Sequence, residues 1–82
     1  MTNERFPELK RLSRNILYLR KTHRYSIRKM AKILKKIHII TLICIEHGIY
    51  PKEADIGILL RLYMYFGIMP SVLLGQELDS GG

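Results

Sequence analysis

Between residues 7 and 21, apolar side chains fall at Leu9, Leu12, Ile16, Leu17 and Leu19, the intervals that line one side of a helix. Pro7 stands where a first-turn proline suits a helix start. Lys10, Arg11, Arg14, Arg20 and Lys21 fill the other positions, so the first helix is amphipathic and basic. Ser26 is a good N-cap for a second helix over about 26–34, with Met30, Ala31, Ile33 and Leu34 as its buried stripe. Lys35-Lys36 then breaks the apolar pattern. A third helix over about 38–46 stops at Gly48, where glycine can take the left-handed conformation that ends helices. The fourth starts at Lys52 or Glu53 and runs to Phe66, ending at Gly67, with Ile56, Leu59, Leu62 and Phe66 as its inward stripe. Pro70 opens a fifth, ending near Leu74, from which Val72, Leu73 and Leu74 pack back. Helices as short as the second and third cannot bury their stripes alone. The expectation is therefore one all-α domain over residues 7–74. Residues 1–6 read as a flexible leader, and 75–82 as a disordered acidic tail.

The chain has 82 residues, which is one small domain, and 48% hydrophobic residues, which excludes simple disorder. Its net charge of +7 favours anionic partners, nucleic acid first and an anionic membrane surface second; the plainer reading is a solubilising surface. Residues 56–75 are greasy, but Arg61, Gly67 and Pro70 interrupt them, so two buried helices are expected and no membrane span. The charged start MTNERFPELK is unlike a signal peptide, and the single cysteine allows no intrachain disulfide. A cytoplasmic chain fits both. Seven acidic residues, dispersed histidines and no glycine-rich loop offer no catalytic constellation, so an enzyme is not expected. Cys44 and His47 have no further ligands in spacing, so neither metal nor other cofactor is implied, nor a small-molecule substrate.

The set Leu19-Arg20, Ser26, Met30-Ala31, Leu34, Leu42, Ile45-Glu46, Gly48, Pro51, Leu59-Leu60, Phe66-Gly67-Ile68, Pro70-Ser71 and Leu73-Leu74 resembles the Cro/CI-type, phage-repressor-like helix-turn-helix family. The resemblance covers residues 13–74. Its most specific pieces are Ile45-Glu46-His47-Gly48 and Phe66-Gly67-Ile68. It implies a five-helix bundle whose second and third helices read double-stranded DNA, and a regulator of transcription. It further implies that Arg20 touches the DNA backbone and pairs with Glu46, that Arg24 stands at a position often held by glycine, and that Lys52 lies along the backbone. The implied DNA contacts are Arg20, Arg28, Lys35, Lys36, His38, Ile39, Ile40, Thr41, Cys44 and Lys52. A homodimer or partner surface is implied at Ile43, Leu60, Tyr63, Met64 and Tyr65.

Two departures from the family bear on function. Lys35-Lys36 stands where the family usually has a glycine, and the chain is one residue longer there. The positions that should read bases carry Ile39, Ile40, Ile43 and Cys44, while Ile27 replaces the usual glutamine contact. A reading helix normally presents hydrogen-bonding side chains, whereas apolar ones reach only thymine methyls. Three readings follow: an apolar partner or dimer surface, a rotated helix that buries a different face, or an apolar DNA reader. The sequence-based expectation is a small repressor-like DNA-binding regulator acting as a dimer. The alternative is the same fold turned to protein binding, an antirepressor or modulator, through the apolar face of helix 3.

Overall fold

A computed structural model describes residues 7–52 and 54–81. The leader assigned to residues 1–6 lies outside them. The described chain is all-helical, with α1 (Pro7–Thr22), α2 (Ile27–Ile33), α3 (Ile39–Glu46), α4 (Ile56–Phe66), α5 (Pro70–Gly75) and a closing 3-10 turn (Leu78–Gly81). Because α1 is the longest helix, it serves as the spine. Its Leu12, Ile16 and Leu19 are buried with Met30 and Ala31 of α2, Leu34 at the end of that helix, Leu42 and Ile45 of α3, Ile58 and Leu62 of α4, and Leu73 of α5. α1 packs on α3, α5 and the 3-10 turn, while α2 bridges α3 and α4. No helix among the described residues is long and apolar enough to cross a membrane.

Two expectations need correction. The fourth helix begins at Ile56, later than Lys52 or Glu53, because Asp55 caps it: the Asp55 carboxylate accepts from the Gly57 N–H at 2.8 Å. Upstream, the Ala54 N–H turns back to the Pro51 carbonyl at 2.9 Å. The inward face of α4 is accordingly Ile58 and Leu62, flanked by Leu59 and Phe66, and Ile56 is 76% exposed.

The second correction concerns the tail, which is structured through residue 81. Its anchor is Asn15, a buried polar residue in the middle of α1. The Asn15 amide donates to the carbonyls of Leu73 (2.8 Å) and Gln76 (2.7 Å), and its carbonyl accepts from the Leu78 N–H (2.9 Å). All three bonds run to one short stretch, so a buried amide that would otherwise be costly becomes a clamp. Arg14 pairs with Glu77 beside it at 3.3 Å, and Leu78 packs on the core. Polar composition suggested disorder, but the apolar Leu78 and the distant Asn15 outweigh it.

Candidate nucleic-acid interface

The α2–α3 pair is shaped by caps. Ser26 is extended (φ −69°, ψ 163°) and its hydroxyl accepts from the Lys29 N–H at 3.0 Å. After α2, Lys35 (φ 66°) and Lys36 (φ 54°) are both left-handed. That reversal lets the Ile37 N–H reach the Ala31 carbonyl at 3.1 Å and the Lys36 N–H the Lys32 carbonyl at 3.3 Å, satisfying groups a helix end leaves open. Both lysines are thus accommodated within the turn. His38 then caps α3: its Nδ1 accepts from the Ile40 N–H at 3.2 Å, which leaves Nε2 as the protonated nitrogen of the neutral ring. At the far end Gly48 (φ 86°) is left-handed, and the Ile49 N–H returns to the Cys44 carbonyl at 2.8 Å.

α3 is oriented as its apolar pattern predicts. Leu42, Ile45 and Thr41 face inward. Ile40 is 60% and Ile43 41% exposed, whereas Ile39 and Cys44 are half-buried, Ile39 packing on the core. A rotated helix is therefore ruled out by the burial of Leu42 and Ile45. Thr41 is corrected as a contact residue: it is only 6% exposed and points into the fold.

Two cations assigned to DNA are tied up within the molecule. The Arg20 guanidinium donates through Nε to Glu46 Oε2 (2.7 Å), through Nη2 to Glu46 Oε1 (3.1 Å) and through Nη1 to the Tyr25 carbonyl (3.2 Å). This bidentate pair is largely buried and joins the end of α1, the α1–α2 turn and the end of α3. In that turn Arg24 is left-handed (φ 58°). Lys35 donates to both Asp55 oxygens, at 2.9 and 3.1 Å. The Lys35 ammonium, and then the Gly57 N–H, hold the Asp55 carboxyl below its ordinary range. Gly57 makes room for this contact, since a Cβ there would stand 2.7 Å from Lys35 Cδ. Arg28, Lys36 and Lys52 remain exposed, with Lys36 in the turn before α3 and Lys52 in the loop between α3 and α4.

The expected dimer residues do not form one face. Ile43 is on α3. On α4, at about 100° per residue, Leu60 and Tyr63 share an exposed row with Ile56, and Met64 lies at its margin. Tyr65 is turned away and stacks edge-on with Tyr25 and Phe66. One feature that spacing did not bring forward is a groove between α2 and α4, lined by Arg28, Lys29, Lys32 and Arg61 among others. Its one advance signal was Arg61, a lone charge in an otherwise apolar helix. The chain matches no family model, no curated protein and no solved structure.

Proposed function

We propose that this chain is a small DNA-binding regulator of the Cro/CI type, with α2 and α3 as its helix-turn-helix. The observation that carries the proposal is the outward face of α3, held at fixed orientation by caps at both ends and bracketed by the exposed cations Lys36 and Lys52 on a chain of net charge +7. In this reading Arg28, Lys36 and Lys52 meet phosphates, and Ile40 and Ile43, with parts of Ile39 and Cys44, touch thymine methyls in the major groove. Arg20 and Lys35 are positioning residues: one fixes the end of α3, the other holds Asp55, the N-cap of α4. Sequence preference then rests on methyl contacts and on DNA shape. The exposed α4 row of Ile56, Leu60 and Tyr63 is the surface for a twofold dimer.

Selection from a random duplex library at physiological salt tests this. The expected result is a twofold-symmetric motif with half-sites about one helical turn apart. Three phosphate-binding cations per protomer give a log–log salt slope of roughly −5 for a dimer. Failure to enrich any motif, with only weak binding that salt abolishes, would overturn the proposal. A second reading is favoured by one observation, the absence of any charged side chain among Ile39, Ile40, Ile43 and Cys44: the same face of α3 binds a protein partner.

A further inference from the structure

The groove between α2 and α4 lies apart from the outward face of α3. It encloses about 690 Å³ and is lined by Ser26, Arg28, Lys29, Lys32, Ile33, Arg61, Met64 and Tyr65. Four of these residues are cations and none is acidic. None of the four forms an ion pair among the described residues; the carboxylates of Glu46, Asp55 and Glu77 are taken by Arg20, Lys35 and Arg14 elsewhere. Lys29 rests its Nζ 5.1 Å from the centre of the Tyr25 ring, a contact that holds the ammonium without neutralising it. Arg61 is half-buried, so part of its desolvation has already occurred before any partner arrives. Met64 (68% exposed) and Tyr65 (51% exposed) lie on the α4 wall beside these charges.

Concentrated charge of one sign beside exposed apolar side chains is unfavourable in the free molecule, and both features are relieved by the same kind of occupant. We infer that this groove docks an acidic amphipathic helix of a partner protein, its carboxylates meeting Lys29, Lys32 and Arg61 and its apolar stripe covering Met64 and Tyr65. Two helical walls, of seven and eleven residues, suit a helix of two to three turns laid along them. Charge complementarity selects the acidic partner, and the apolar wall selects a helix with a stripe over a simple polyanion. The assignment is independent of what α3 binds.

The probe is a fluorescein-labelled 14-residue peptide carrying leucines at i, i+3, i+4 spacing and glutamates elsewhere. A polyglutamate of equal charge is the control, both titrated into the full chain at physiological salt. The amphipathic peptide is expected to bind at least about tenfold tighter than polyglutamate, and the double variant Lys32→Glu/Arg61→Glu to weaken it at least about tenfold. Met64→Ser, at an exposed site that tolerates the change, gives a second loss should the double variant fold poorly. Duplex DNA binding is expected to stay unchanged in these variants, and the self-association constant to stay unchanged in the double variant. Equal binding of polyglutamate would reduce the groove to a charge patch and overturn the inference. A fall in the DNA salt slope would assign the cations to phosphate, and a change in self-association of the double variant would assign the groove to a second copy; either overturns it. Unchanged peptide affinity in both variants would place the peptide elsewhere.

Discussion

Tyr50 shows how a single side chain ties a loop to the spine. Its hydroxyl donates to the Leu9 carbonyl at 2.7 Å, so with that proton committed Ser13 donates to Tyr50 at 2.8 Å. Burial pushes the phenol up to about 12, against the smaller opposing pull of Ser13. The folded chain therefore keeps a proton that the unfolded chain releases from about pH 10 upward. This stability is fully present below pH 10 and is lost as pH rises towards 12; Tyr25, raised chiefly by its hydrogen bond to Tyr65, adds a fall of the same sign. Tyr50→Phe is expected to cost about 1–2 kcal/mol at neutral pH, because buried Ser13 loses its partner. It is also expected to flatten the alkaline fall, which urea unfolding between about pH 8 and 11 measures. Glu46 is the second such residue. Glu46→Ala strands Arg20 in a largely buried site and is expected to cost about 3–5 kcal/mol, whereas Arg20→Met/Glu46→Met should cost clearly less. If the double variant is no more stable than Glu46→Ala, the loss comes from packing and not from an unpaired charge.

At the scale of elements, the α2–α3 turn carries strain in one place. Lysines seldom adopt positive φ, and a left-handed non-glycine residue costs about 1–2 kcal/mol. Lys36→Gly removes that cost without touching an ion pair and is expected to raise stability by up to about 1 kcal/mol, less the added freedom of the unfolded chain. Lys35→Gly should gain less, since it also gives up Asp55. Thermal melting of the two variants compares them directly, and a lower melting temperature for Lys36→Gly would show that the turn is not strained at that residue. Helix existence was legible here because caps and periodicity agree: Ser26, Gly48, Gly67 and Pro70 all mark ends where the structure has them. The start of α4 was misplaced because Lys52, Glu53 and Ala54 all tolerate helix and outweighed the local signal, Asp55 directly before Ile56, that marks the cap. The order of the tail was hidden for a different reason. Asn15 looks like any polar residue on a basic helix until residues 73–78 fold back over it.

For the whole molecule, the question is what the apolar face of α3 meets. The burial of Leu42 and Ile45 was readable from spacing, and with it the outward position of Ile40 and Ile43, but not the use of that face, since isoleucine fits a thymine methyl and a protein surface alike. The distribution of charge was less readable: the pairing of Arg20 with Glu46 was expected from the resemblance, but Lys35 counts toward the net charge and is spent on Asp55, which only the folded geometry reveals. Ile40→Asp separates the uses. Ile40 is 60% exposed in the first turn of α3, where a carboxylate suits the helix dipole, so stability should change by no more than about 0.5 kcal/mol. On the DNA proposal the variant loses a methyl contact and sets a negative charge against the groove, so affinity for the selected site should fall at least about tenfold, while Ile40→Val keeps most of it. Fluorescence anisotropy on the selected duplex reads both. Unchanged DNA affinity in Ile40→Asp would remove α3 from the DNA interface, and loss of a protein complex in the same variant would make that face a protein-binding surface.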